Sequence, residues 1–135
     1  MKTVLPIFFA LLTVVGCSTK QSVPTDKMVL PEEGQVGVYY FRTSIRCETC
    51  DVIEKIISEE LNGNYAEKIE NGDVVFRQFN LDDQKVADFA LQFDVVFKSL
   101  IILKDQQQTN LTEEAFLYAL PKPDKFRELF EKSID

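Results

Sequence analysis

Cys47-Glu48-Thr49-Cys50 is the stretch of this chain whose residue types and spacing could do chemistry. In a Cys-x-x-Cys pair one thiolate can attack a disulfide elsewhere, and the second thiol can then resolve the mixed disulfide that forms. Before the pair, Gln35 to Thr43 is rich in aromatic and β-branched residues and reads as a buried strand. After it, Val52, Ile53, Ile56, Ile57 and Leu61 recur at helical spacing and form one apolar face. Both sulfurs therefore fall where a strand gives way to a helix. Unpaired backbone N–H groups and the positive end of the helix dipole lower the pKa of a thiol there. Cys47 is the expected nucleophile, and Cys50, one turn further in on the same side, the resolving thiol. A structural disulfide or a buried pair of thiols is the alternative use of this spacing.

Counting sets other chemistries aside. The chain has no histidine, which excludes Cys–His and Ser–His catalysis and a mixed Cys/His zinc site. Gly34, Gly37, Gly63 and Gly72 are scattered and spell no phosphate loop or dinucleotide fingerprint. Two thiolates could also hold a soft metal or trivalent arsenic; with Cys47 and Cys50 alone, such a site would suit carriage or transfer. Around the pair, Arg46 and the helix terminus favour the Cys47 thiolate, whereas Glu48, Asp51 and Glu54 oppose it. Each exposed charge is worth about 1 kcal/mol or less, so these contributions nearly cancel and a fairly reducing dithiol is expected.

The third cysteine has a different setting. Lys2 supplies a short positive region, Val4 to Val15 is almost wholly apolar, and Val14-Val15-Gly16-Cys17 closes the run with small residues. The run is shorter than the roughly 20 residues that a membrane span needs. It resembles a bacterial lipoprotein signal with its lipobox. That resemblance implies removal of residues 1–16, acylation of Cys17 and, with Ser18 next, an outer-membrane, periplasm-facing destination. Residues 17–34 are polar and proline-punctuated and read as the lipidated cysteine and a flexible tether, leaving 35–135 as one domain. Met28, Val29 and Leu30 in that tether are either an unattached spacer or a contact with the domain edge.

Lys2 is the only charged residue of the leader, so its loss takes 15 basic residues to 14 against 22 acidic ones, and the net charge from −7 to −8. Such a surface argues against nucleic acid as a partner and against electrostatic adhesion to anionic lipid, and leaves membrane attachment to the acyl chains. It fits a partner with basic residues, or serves solubility alone.

The domain reads as strand 35–43, the helix after Cys47, a turn at Asn71-Gly72-Asp73 and a strand over 74–81. A helix capped by Asp82 or Asp83 follows, then strand 99–103, an edge strand over 108–111, and helical stretches over 111–119 and from Pro123. Pro121 stops the first of these stretches. The order is βαβαββα. Strands joined through helices are expected to run parallel and the pair joined by a short turn antiparallel, which makes a mixed four-stranded sheet. The phenylalanines read as core. Phe97 is expected there too, although its place beside the dithiol makes it an alternative contact for an apolar partner segment.

A Cys-x-x-Cys after the first strand of such an α/β order resembles the thioredoxin-like superfamily over nearly all of 35–135. More narrowly, Val38 to Cys50, with Phe79-Asn80-Leu81 and Asn110-Leu111-Thr112, resembles the nitrophenyl compound nitroreductase subunit ArsF family, which implies a redox subunit. No flavin site is visible and no cofactor is expected. The resemblance places Arg46, Glu48, Thr49 and Ser99 around the dithiol. Ser99 falls where thioredoxins carry a cis-proline, and Phe41 where they carry a buried aspartate. Arg46 stands in place of their tryptophan.

The leading reading is a lipid-anchored envelope thiol–disulfide oxidoreductase acting on a protein redox partner or client. The others are a soft-metal or arsenic(III) thiolate carrier and a redox-inert adaptor that keeps the fold for protein contacts. The cancelling charges predict a reduction potential below about −180 mV, the protein disulfide isomerase value. Equilibration in dithiothreitol buffers followed by thiol alkylation measures it, and a potential well above that value contradicts the charge argument.

Overall fold

The computed structural model describes residues 28–135; the leader, Cys17 and the tether up to residue 27 lie outside the described residues. The elements are β1 (Val36–Arg42), α1 (Glu48–Asn62), α2 (Ala66–Asn71), β2 (Val74–Asn80), α3 (Gln84–Ala90), β3 (Ser99–Lys104), β4 (Gln107–Asn110), α4 (Thr112–Tyr118) and α5 (Pro123–Ile134). A single 3-10 turn, Leu91–Phe93, extends α3. The strands form one mixed sheet in the order β2-β1-β3-β4, with β1 parallel to β2 and antiparallel to β3.

β1 is central and buried from Val36 to Phe41, so its residues divide between two cores by simple alternation. Val36, Val38 and Tyr40 meet α1, α4 and α5 through Ile53, Ile57, Ala115, Phe126 and Phe130. Tyr39 and Phe41 point to the other face, against Phe79, Phe89 and Phe93. There the rings pack edge-on or offset, as between Tyr39 and Phe93 with centroids 5.8 Å apart. The same alternation sends Leu100 and Ile102 of β3 to the first core and Ile101 and Leu103 to the second.

Local signals account for several of the boundaries. Asp83 caps α3 by accepting a hydrogen bond from the Lys85 amide at 2.9 Å. Gly72, at φ 82°, ends α2 in the left-handed region that glycine adopts without a steric penalty. Pro123 opens α5 at a position where a missing N–H costs nothing. β3 and β4 are joined through Asp105 and Gln106, at φ 49° and 62°, the left-handed pair of a tight hairpin.

The structure corrects two expectations. β3 runs antiparallel to β1, and therefore to β2, although α3 lies between β2 and β3. The register explains this: β2 ends with Asn80 opposite Arg42 and β3 begins with Ser99 opposite Phe41, so the chain re-enters the sheet at the end it left. α2 is an additional helix that periodicity did not announce, because it has no buried residue and only Ile69 is partly covered. The chain before β1 is also tied to the domain. Tyr39 donates its hydroxyl hydrogen to the Val29 carbonyl, and the Gln35 side-chain amide donates to the Gly72 carbonyl at 2.8 Å.

Burial pushes the Tyr39 and Tyr40 hydroxyls up to about 12, and the Tyr40 hydroxyl is buried without a hydrogen-bond partner. An unfolded tyrosine ionises near 10, so the unfolded chain releases protons first and stability falls as pH rises from about 10 toward 12. Tyr40→Phe is expected to leave neutral-pH stability unchanged or raise it by about 1 kcal/mol, and to lessen the alkaline loss. Urea unfolding midpoints at neutral and alkaline pH check both effects.

Candidate functional site

The loop between β1 and α1 carries the dithiol to the end of the sheet. It is pinned on one side by the Ser44 amide, which donates to the Asp82 carboxylate at 2.8 Å, and by the Leu81 amide, which donates to the Arg42 carbonyl at 2.7 Å. The bonds from Ser44 hold the Asp82 carboxyl below its ordinary range, with smaller help from Arg42 and Lys98.

Cys47 is the N-cap of α1, with extended backbone at φ −144° and ψ 153°. Its sulfur accepts the Cys50 amide hydrogen at 3.1 Å, the bond that a serine or aspartate oxygen makes at other helix starts. The two cysteines are joined as a disulfide. Cys47 is exposed, whereas Cys50 is only 3% exposed. An incoming thiolate can therefore reach Cys47 and not its partner. On reduction, the helix amides and dipole that face Cys47 favour its thiolate form.

The charges near the sulfurs are arranged more specifically than their order in the sequence suggests. Arg46 hydrogen-bonds Glu54 through both terminal nitrogens, at 2.7 and 2.9 Å, and also pairs with Asp51. These bonds, that to Glu54 first, hold the guanidinium above its ordinary pKa and occupy it with carboxylates. Glu48 is exposed in the first turn of α1 and Thr49 is half-buried. Ser99 is buried opposite Phe41, and its hydroxyl donates to the Phe97 carbonyl at 2.8 Å. No peptide bond among the described residues is cis, so the Lys98–Ser99 bond is trans.

Three positions differ from the sequence reading or were missed by it. Phe41 belongs to the core on the far side of β1, so the buried residue on the α1 face at this end of the strand is Tyr40, one position earlier. Phe97 is 64% exposed and is not a core residue, because the chain reverses at Asp94, at φ 57°, and buries Val95 while turning Val96 and Phe97 outward. Lys98 was missed as a site residue. Its ammonium donates to the Ile45 carbonyl at 2.6 Å and to the Cys50 sulfur at 3.3 Å. The only signal for it in the sequence was its place next to Ser99, the residue aligned with the dithiol loop.

Shallow ground flanks the sulfurs on two sides. Arg46, Cys47, Glu48, Asp51, Val52 and Lys55 line one depression of about 460 Å³. Thr43, Val96, Phe97, Lys98 and Phe116 line a more apolar one of about 450 Å³. Ile45, Val96 and Phe97 are exposed around this end of the molecule, at 77%, 71% and 64%. Among the described residues no group of Cys, His, Asp and Glu gathers as a metal-ligand set.

The fold is similar to that of a malarial protein at 18% identity and TM-score 0.52, covering 75% of this chain and 99% of that one. It is also similar to oxidized thioredoxin O2 from Arabidopsis thaliana at 15% identity and TM-score 0.54, covering 76% and 77%. No protein-family model matches the chain, and no curated protein matches it. With this sheet, these flanking helices and these structural neighbours, the fold is thioredoxin-like.

After reduction, the exposed Cys47 should react with iodoacetamide at least about tenfold faster than the buried Cys50, since access and thiolate character both favour it. Peptide mass analysis after brief alkylation reads the ratio. Equal labelling of the two would contradict the assigned division of labour.

Proposed function

We propose that this chain is a thiol–disulfide oxidoreductase that exchanges electrons with protein partners through Cys47 and Cys50, held in a bacterial envelope by lipid on Cys17. The observation that carries this reading is the pairing of an exposed helix-capping Cys47 with a buried Cys50 in one disulfide. In the reductive half, a client thiolate attacks Cys47 Sγ, a client–Cys47 bond forms, and the Cys47–Cys50 bond breaks with its electron pair left on Cys50. A second client thiolate attacks the client sulfur of that mixed disulfide. The client leaves with its own disulfide, and Cys47 departs as a thiolate. Run backward, the same steps reduce a client disulfide. The two electrons come from the client dithiol or pass to the client disulfide, so no cofactor is needed.

A protein client is supported by Ile45, Val96 and Phe97, which expose apolar surface around the sulfurs. The resemblance of Val38 to Cys50 to the ArsF family supports a redox-subunit setting. Membrane attachment rests on the lipobox at Cys17, since no helix among the described residues is long and apolar enough to cross a membrane.

The test is exchange with a peptide disulfide, followed by alkylation and mass analysis. Cys47→Ser should abolish exchange, whereas the Cys50→Ser chain should still attack the peptide disulfide through Cys47 but remain trapped as a mixed disulfide. Cys17→Ser should leave exchange intact and release the chain from the membrane fraction of a bacterial host. Exchange that survives Cys47→Ser with Cys50→Ser would overturn the redox reading, and membrane retention of Cys17→Ser would overturn the anchor.

A further inference from the structure

Lys98 stands where the chain enters β3, half-buried, with its ammonium bridging two groups of the dithiol segment. It donates to the Ile45 carbonyl at 2.6 Å and to the Cys50 sulfur at 3.3 Å. Among the described residues it forms no ion pair with a carboxylate. Arg46, the nearer basic residue in sequence, is held by Glu54 and Asp51 instead. The positive charge in contact with a reacting sulfur is thus that of Lys98, and the sulfur it touches is the buried one.

We propose that Lys98 is a catalytic residue of the exchange, whose ammonium holds the negative charge that arrives on Cys50 Sγ when the Cys47–Cys50 bond breaks. This rests on the oxidoreductase reading. When a client thiolate attacks Cys47, the electron pair of the broken bond stays on Cys50, and Lys98 stabilises the charge without giving up a proton. In the reverse direction the Cys50 thiolate attacks Cys47 Sγ of the mixed disulfide, and the client thiolate leaves with the electron pair. A thiolate sealed from water needs such a counter-charge, because desolvation alone favours the neutral thiol. Lys98 therefore raises the population of the ionised reduced pair and moves its reduction potential upward. With Arg46 held by Glu54 and Asp51, Lys98 is left as the cation in contact with the buried sulfur.

The other charged or titratable groups at this corner are Arg46, Glu48, Asp51, Glu54 and Lys55 on the loop and α1, Tyr40 and Arg42 on β1, and Asp82 before α3. None of them donates a hydrogen bond to the Cys50 sulfur, and Tyr40 makes no hydrogen bond at all through its hydroxyl. Asp82, whose carboxyl responds to Lys98, is bound to the Ser44 amide.

The test uses the full chain carrying Cys17→Ser, so that the dithiol alone reports. In dithiothreitol buffers at alkaline pH, where Cys50 is ionised with or without Lys98, Lys98→Gln should lower the equilibrium constant for reducing the pair about tenfold, which is about 30 mV for a two-electron couple. Lys98→Arg, which keeps the charge, should restore most of it. With Cys47→Ser added, the ultraviolet absorbance of the thiolate titrates Cys50 by itself, and Lys98→Gln should raise its pKa by about one unit. The difference in potential should vanish in acid, where Cys50 is protonated with or without Lys98. If Lys98 merely clips the loop through Ile45, neither the potential nor the Cys50 titration moves, and that result overturns the proposal. Failure of the unsubstituted dithiol to exchange with a peptide disulfide would instead overturn the oxidoreductase reading. The Cys50 titration then still judges the Lys98 charge.

Discussion

The arrangement of this molecule depends on β1, a strand paired on both edges and buried on both faces. With β2 on one side and β3 on the other, all of its backbone groups between Gly37 and Phe41 have ladder partners available, so its position is over-determined. Its side chains feed two cores, which leaves little freedom to slide or rotate: a slip of one residue would exchange Tyr40 for Phe41 and reverse both faces. The end of β1 is consequently a rigid platform, and the short loop that leaves it delivers Cys47 to the first position of α1.

What happens at that position follows from hydrogen bonding as much as from charge. The start of α1 needs acceptors for its free amides, and the Cys47 sulfur supplies one. In the disulfide form the sulfur sits at the positive end of the helix with solvent on its open side. Cys50, one turn on, faces inward and is sealed. The asymmetry between attackable and protected sulfur is therefore a property of the helix start and of burial, and needs no movement of the backbone.

The antiparallel entry of β3 matters for the same reason. Had β3 run parallel to β1, its first residues would lie at the opposite end of the sheet, far from the sulfurs. Because it begins opposite Phe41, the segment Val96 to Ser99 is placed beside the Cys47 loop. That placement exposes Val96 and Phe97 next to the dithiol and lets Lys98 reach both the Ile45 carbonyl and Cys50. A trans Lys98–Ser99 peptide, with Ser99 bonded back to Phe97, shapes this edge in a way that differs from the proline-bearing loop of thioredoxins.

The local pattern alone determined the strand–helix junction at the dithiol, the helical faces of α1 and α5, a cap for α3 at Asp82 or Asp83 and the hairpin before β4, because each rests on near neighbours whose period or turn chemistry is visible in the chain. Weakly amphipathic α2 escaped notice for want of an apolar stripe. Only the tertiary structure decided the direction of β3, the outward turn of Phe97, the inward position of Tyr40 in place of Phe41, and the contact between Lys98 and Cys50. Each depends on register between segments far apart in sequence, as Lys98 and Cys50 are, and register is set by how two buried faces fit together and not by the residues adjacent to either one.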